Sequence, residues 1–376
     1  MSNHLKNRSV AVIGGGVAGL CAAVALSQRG AHVSVHERAP ALTDVGAGLQ
    51  LSPNAGRVLS ELGLDAALDA VSVRSAGVVL HDRAGQQVAS LPLAAHRPGA
   101  AFRMIHRARL IEVLAAAARD AGATIHLGHQ ITDPPKADLL IGADGLNSTF
   151  RRKLNGAEKL FFTGQTAWRA LIEDSIDDPF ARVFMGPKQH LVSYRLGSGF
   201  RNIVAVQERP GWTAEGWSHE DDPRNLRAAF AGFGGPVPDW LSRVGSVGIW
   251  GLFRHQVARH WHDGRHVIIG DAAHPTLPFM AQGAVMAIED AWILAQSLDA
   301  IADQPAALAR FQAIREPRVR RVVEAANGNA RNYHLSGPAR VIGHLGLRTL
   351  SRLAPGALLR RFDWLYDYDP VAERVA

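Results

Sequence analysis

The feature that most constrains this chain is a glycine turn set between a strand and a helix, Gly14-x-Gly16-x-x-Gly19. Ser9–Ile13 reads as a short apolar strand. Val17–Arg29 reads as a helix with small residues toward a sheet and Gly30 as its stop, and His32–His36 as a second strand ending at Glu37. A strand–helix–strand unit of this kind makes two parallel strands. Gly14 permits the tight turn, Gly16 lets backbone approach a pyrophosphate, and Gly19 lets the helix pack close to the strand. The helix N-terminus then faces the phosphates, and Glu37 can accept hydrogen bonds from both ribose hydroxyls. The glycines alone would suit an ordinary turn. Strand, glycines, helix, second strand and Glu37 in order point to a dinucleotide and leave FAD and NAD both open.

Residues 9–28 carry no charge, which on length alone suggests a membrane span or a signal peptide. Gly14, Gly15, Gly16 and Gly19 break that stretch, so the chain reads as soluble and cytoplasmic, with no membrane contact expected. The 376 residues suffice for about two domains. A single cysteine, Cys21, excludes a disulfide framework and any zinc or cluster site built from several cysteines, and no metal is expected. The net charge of +7 is not gathered into a basic cluster with aromatic or turn motifs, so nucleic acid is not expected. A field attracting anionic cofactors or small acids is the milder reading.

Helices are expected at Pro53–Leu62 and Arg107–Ala121, and a strand at Ala137–Ile141 running into Gly142-Ala143-Asp144-Gly145. Residues 160–255 change character, with shorter runs and alternating stretches such as His190–Leu196 and Asn202–Val206, which suit an antiparallel sheet. Ser75–His81 and Gln87–Leu91 read as a hairpin around Arg83-Ala84-Gly85. Parallel-strand character returns at His266–Ile269, and Gly283–Leu298 is a strong helix. The fold class is therefore α/β, a Rossmann-like domain (1–70, 97–158 and 255–310) interleaved with an antiparallel β-sheet domain (71–96 and 159–254). Residues 311–376 read as a helical, Arg-rich segment, broken at Gly337-Pro338 and Pro355-Gly356, whose charges are solvated.

Two further motifs follow strands. Asp144-Gly145 leads to Ser148 and Arg151, and Gly270-Asp271 leads to Ala272-Ala273-His274-Pro275. A carboxylate at a strand end can accept hydrogen bonds from a polyol such as a ribityl chain. Pro278-Phe-Met-Ala-Gln-Gly283 then opens a helix whose positive end suits an anionic ring edge.

Taken together, these motifs resemble the class A FAD-dependent aromatic monooxygenases of the para-hydroxybenzoate hydroxylase fold family, and most closely their salicylate hydroxylase branch. The resemblance runs nearly the full length, and residues 270–291 are its most specific piece. It implies bound FAD, with NADH or NADPH as a transient cosubstrate. It also implies hydroxylation of a small aromatic acid or phenol by O2 through a flavin C4a-hydroperoxide. Within the resemblance, Gly14, Gly16, Gly19, Glu37 and Arg38 hold the ADP half of FAD, and Arg107 touches the cofactor from its helix. Asp144 and Gly145 match a motif that contacts both nucleotides. Asp271 matches the ribityl and pyrophosphate ligand, and Gly283 and Ala284 border the isoalloxazine.

His190 and Tyr194 match a His-x-x-x-Tyr pair of the hydroxybenzoate and hydroxynicotinate branches. Four apart on a strand, they share a face. His190 could deprotonate a phenol and Tyr194 hydrogen-bond the same oxygen. The competing reading is a structural pair on a half-buried strand. Gln50, in Gly46-Ala-Gly-Leu-Gln-Leu, stands where some relatives carry a ligand-contacting His, which argues against 6-hydroxynicotinate. His274 and Cys21 read as structural. The segment from Leu127 to Ala137, with Thr132-Asp-Pro-Pro-Lys, is shorter than the meander of the relatives, leaving the adenine side more open. The alternatives are a hydroxylase of a quinone precursor or urate-like heterocycle, and a flavin reductase or oxidase on the same scaffold. A homodimer through the C-terminal helices is the expected assembly.

Overall fold

The computed structural model describes residues 3–42, 48–131, 133, 135–212 and 219–375. Gly46, and Thr132 and Pro134 of the shortened segment, lie outside the described residues. A five-stranded sheet, parallel throughout, runs in the order 266–268, 139–142, 9–13, 32–36, 124–126. Its register aligns Ile13 with His36 and with Gly142, and Gly142 with Ile268. The strand ends that lead to Glu37, Asp144 and Asp271 therefore open on one edge, the crevice where open α/β sheets bind ligands.

The Val17–Ser27 helix is almost wholly buried between the sheet and the helices Arg107–Asp120 and Gly283–Ala300. Its small residues permit that approach, while Leu20, Val24 and Leu26, each 0% exposed, contribute about 1.5–3 kcal/mol apiece by burial. Cys21 is packed among them, and burial pushes its thiol up to about 12.

The second sheet has eight strands in the order 219–221, 247–254, 161–173, 200–208, 189–196, 180–186, 77–82, 87–91. It is mixed, which corrects the expected antiparallel sheet: Gly77–Asp82 pairs parallel with Phe180–Gly186. Parallel neighbours need a long crossover, and here the intervening chain passes through the parallel-sheet half before returning. One face carries Trp168, Phe184, Leu191 and Ile203 beneath the helices Pro223–Ala229 and Val237–Ser242. The other carries Ala167, Val206, Trp250 and Leu252 against Leu277, Phe279 and Ala330. A small antiparallel sheet of Gly48–Leu51, Arg103–His106 and Ser72–Arg74 lies in neither of the two larger sheets.

Helices Gln304–Tyr333, Gly337–Leu353 and Pro355–Arg360 follow, the last two starting at the expected Gly337 and Pro355. The expectation that their charges are solvated fails for Arg315 and Arg318. Arg315 is buried and Arg318 partly so: Arg315 Nη2 lies 2.7 Å from Glu289 and its Nε 2.8 Å from Asp290, and Arg318 Nη2 lies 2.7 Å from Glu289. A run of arginines looks solvated in sequence because its acidic partners sit on another helix.

Candidate active site

Gly14 has φ +114°, and a Cβ there would meet the Ala143 carbonyl oxygen at 2.3 Å. A Cβ at Gly19 would lie 2.0 Å from the Gly14 oxygen, so the helix seats directly on the turn. Gly16 faces open space, with nothing within 4 Å of its would-be Cβ. It is the N-cap of the helix and offers no side-chain cap, so the first-turn N–H groups are left for an anion. Glu37 accepts from Gly15 N at 2.7 Å through Oε2 and from Ala39 N at 2.8 Å through Oε1. Each carboxylate oxygen keeps a further lone pair for a ribose hydroxyl. Arg38 stands exposed beside it.

Asp144 Oδ2 accepts from Thr149 N at 2.8 Å, while Oδ1 is buried and, among the described residues, has no partner. Gly145 takes φ +73° and faces open space. Ser148 caps the next helix by accepting from Arg151 N at 2.9 Å. Arg151 is 1% exposed. Its Nη1 donates to the carbonyls of Ala272 (3.2 Å) and Ala273 (3.0 Å), its Nη2 to Gln256 O (2.7 Å), and its Nε to Glu158 (2.5 Å). The Asp-Gly loop is thereby tied to the Gly-Asp loop.

The Gly-Asp loop is fixed from behind by Asp290, which accepts from Gly270 N at 2.9 Å and bonds His274 Nε2 at 2.5 Å. His274 is buried in that role. Asp271 itself is exposed. Its side chain is reachable from the groove yet ringed by protein, and that desolvation pushes its carboxyl above the ordinary value against the opposing pull of His274 and Arg107. An acid held this way gains from hydroxyl donors, which is what a ribityl chain offers. Arg107 opens its helix beside this acid. Open space at Gly16 and Gly145, the orphaned Asp144 oxygen and Asp271 together fit FAD.

Gly283 begins the helix to Ala300, with no acidic residue in its first turn and Ala284 partly buried next to it. Gln282 before it donates through Nε2 to Ser52 Oγ at 3.1 Å and accepts from Asn54 Nδ2 at 3.2 Å. A cleft here is lined by Gln50, Ser52, Ser75, Met104, Met280 and Gln282.

His190 and Tyr194 do share the face of the eight-stranded sheet that meets this segment, but they touch different walls. Tyr194 packs against Gly48, where a Cβ would lie 2.7 Å from its ring, and Gly48 N donates to Asn202 Oδ1 at 3.0 Å. Burial raises the Tyr194 hydroxyl above its ordinary value, with the Arg169 charge opposing. His190 is 1% exposed. Its ring centroid lies 5.1 Å from that of Phe279 and 5.2 Å from that of Tyr333, and its Nδ1 is 2.7 Å from His334 Nε2. Burial, and next the His334 ring, hold its pKa well below the ordinary imidazole value, so the ring is neutral at pH 7.

Two residues here escaped the sequence reading. Asn202 is buried opposite Tyr194, and its Nδ2 has no partner among the described residues; a lone amide in an apolar strand was its only signal. His334 ends the Gln304–Tyr333 helix, in a segment whose local pattern says nothing of the sheet it reaches. Among the described residues no group of three or more His, Cys, Asp or Glu could hold a metal ion, and no helix is long and apolar enough to cross a membrane.

The FAD binding domain family matches residues 7–134 and 133–326. The chain is 34% identical to the 3-amino-4-hydroxybenzoate 2-monooxygenase PtnB3 of Streptomyces platensis, covering 97% of this chain and 98% of that one. It is 29% identical to a salicylate hydroxylase of Pseudomonas putida, covering 98% and 94%. Among solved structures, a salicylate hydroxylase substrate complex superposes with TM-score 0.80 at 25% identity, covering 97% of this chain and 96% of that one. HpxO of Klebsiella pneumoniae, complexed with FAD and uric acid, superposes with TM-score 0.79 at 25% identity, covering 94% and 95%.

Proposed function

The chain belongs to the FAD binding domain family, and from that premise we propose that it uses FAD and NAD(P)H to hydroxylate a small aromatic acid or phenol with O2. The observation that carries this reading is the 278–283 segment. Phe279 packs on His190 of the eight-stranded sheet, Gln282 bonds Ser52, and Gly283 opens the helix that braces the Asp271 loop through Asp290. A ring bound beside this segment lies between a neutral histidine and the dinucleotide groove. The names of the relatives, three of which act on 3-amino-4-hydroxybenzoate, favour a phenolic acid.

Gly14, Gly16, Gly19, Glu37 and Arg38 would hold the ADP half of FAD. Arg107, Asp144, Gly145 and Asp271 would hold the pyrophosphate and ribityl part, and Gly283 and Ala284 would border the ring. When bound, FAD supplies hydride acceptance from NAD(P)H and, once reduced, the activation of O2. The chain's own residues do the rest. His190 accepts the phenolic proton, which makes the ring electron-rich toward an incoming oxygen, and Tyr194 and Asn202 orient the substrate. Trp250 and Leu252, with Phe279, form the apolar layer that keeps bulk water from the reacting ring on the His190 face of the sheet.

The division into an FAD-binding part, a substrate part and a C-terminal segment belongs to the same reading. So do a cytoplasmic location and a homodimer, the last supported by the exposed Val341, Ile342, Leu345 and Leu353 on the Gly337–Leu353 helix.

The test is a panel of phenols and aromatic acids including 3-amino-4-hydroxybenzoate, salicylate and 3-hydroxybenzoate, with NAD(P)H consumption read against product mass. Aromatic-stimulated oxidation with stoichiometric hydroxylated product is expected. NAD(P)H consumption that no ring stimulates and that yields only hydrogen peroxide would overturn the reading.

A further inference from the structure

His190 is one end of a three-membered chain of side chains that reaches the surface. Its Nδ1 lies 2.7 Å from His334 Nε2, and His334 Nδ1 lies 2.7 Å from Glu208 Oε1. The three residues come from separate elements: the Gln189–Leu196 strand, the C-cap of the Gln304–Tyr333 helix, and the end of the Phe200–Glu208 strand. Exposure rises along the chain. His190 is 1% exposed, and the side chains of His334 and Glu208 are 3% and 39% exposed. The backbone holds the ends together, since Glu208 N donates to the Lys188 carbonyl at 2.8 Å and Lys188 N to the His334 carbonyl at 3.4 Å.

The chemistry of the three groups fixes where the protons sit. A carboxylate only accepts, so His334 must carry its proton on Nδ1. Burial holds His334 below the ordinary imidazole pKa, with Glu208 opposing, so its ring is neutral and Nε2 bears a lone pair. That lone pair accepts from His190 Nδ1–H. His190 is thereby left with an unprotonated Nε2, for which no hydrogen bond is found among the described residues. One exposed carboxylate, two hydrogen bonds away from His190 Nε2, thus selects the tautomer in which that buried nitrogen carries the lone pair.

We propose that Glu208 and His334 are positioning residues that set His190 as a proton acceptor and form the path by which the phenolic proton leaves the closed site. The proposal rests on the aromatic-hydroxylase reading above. In the step, the phenol O–H bond breaks and the proton binds His190 Nε2. The Nδ1 proton of His190 passes to His334 Nε2, the Nδ1 proton of His334 passes to the Glu208 carboxylate, and water removes it there. No electrons change hands. Tyr333 is the other titratable group against the His190 ring; the turn bearing Phe279 and the neighbouring Met185 and Val206 bring none.

The experiment compares the wild-type holoenzyme with Glu208→Ala, Glu208→Gln and His334→Phe, using long-range proton–nitrogen NMR of 15N-histidine-labelled protein and pH profiles of kcat. In the wild type both rings are expected as Nδ1–H tautomers without any substrate present. Glu208→Ala should turn His334 into a tautomer mixture. Glu208→Gln, whose amide oxygen still accepts but cannot take a proton, should keep the tautomer. It should still lower kcat about tenfold with KM changed less than twofold, and move the acid limb to lower pH, because the carboxylate that favours protonated His334 is gone. His334→Phe should lose both. A His190 ring protonated on Nε2 in the wild type overturns the proposal, as does a Glu208→Gln pH profile that matches the wild type. If no ring stimulates the wild-type enzyme, the hydroxylase reading fails instead, and the tautomer measurement still decides the proton chain.

Discussion

Arg151 donates to the Ala273 carbonyl at 3.0 Å, and that bond ties the loop bearing Asp144 to the loop bearing Asp271. Arg151→Ala would leave the Ala272, Ala273 and Gln256 carbonyls and the Glu158 carboxylate without their buried cation. A loss of about 2–4 kcal/mol in urea unfolding is expected, with FAD affinity falling alongside it. Unchanged stability would show the two loops to be held by other means.

Asp271→Ala should behave differently. The residue is exposed and outside the core, so the melting temperature of the apoprotein should hold. FAD should bind about tenfold to a hundredfold more weakly, the value of hydrogen bonds to one charged group. A titration of apoprotein with FAD reads the effect, and equal affinity in both proteins refutes the assignment.

Gly16 and Gly19 separate two kinds of glycine requirement. A methyl at Gly19 meets the Gly14 carbonyl oxygen at 2.0 Å, so Gly19→Ala should lower the melting temperature of the apoprotein by several degrees. A methyl at Gly16 meets nothing in the protein, so Gly16→Ala should fold normally and lose FAD, because the added group fills the space of the phosphates. Paired melting and FAD-binding measurements on the two variants check both outcomes.

His190→Ala is expected to lower hydroxylation at least a hundredfold while flavin reduction by NAD(P)H, measured in stopped flow, falls less than tenfold. Ring deprotonation serves the oxygen-transfer step alone. Equal losses in both steps would make His190 structural.

Acid stability should depend on Glu289 and Asp290. Burial alone would raise both carboxyls. Their partners more than offset it, Arg315 and then Arg318 at Glu289, and His274 and then Arg315 at Asp290. With folded-state pKa values below the unfolded ones, their contribution is complete above about pH 5 and drains as the pH falls through the lowered values. Acid titration followed by circular dichroism should therefore show a steep loss below about pH 4. A conversion of Arg315→Met should move that loss to higher pH.

What the sequence made legible was whatever is local. The glycine turn, Glu37, the Asp144 and Asp271 loops and the helix start at Gly283 each carry their reason within a few residues, and each lies where the local pattern places it. The contacts around Arg315 and His190 were not legible, because their partners are remote. Arg315 looks like a surface charge until Glu289 and Asp290 are brought to it, and His334 belongs to a helix whose own pattern gives no hint of His190. The parallel pairing of Gly77–Asp82 with Phe180–Gly186 leaves no trace in either strand's composition, since pairing direction is set by the route of the chain between them.

That pairing also determines how the molecule can be taken apart. Because the hairpin 77–91 leaves the parallel-sheet half and joins a sheet whose other strands arrive only after residue 160, no single cut separates the two large sheets. A fragment ending near residue 150 would strand the hairpin with a bare hydrogen-bonding edge, and one starting there would lack an outer pair of strands. The two sheets therefore have to be expressed and engineered together, as one chain.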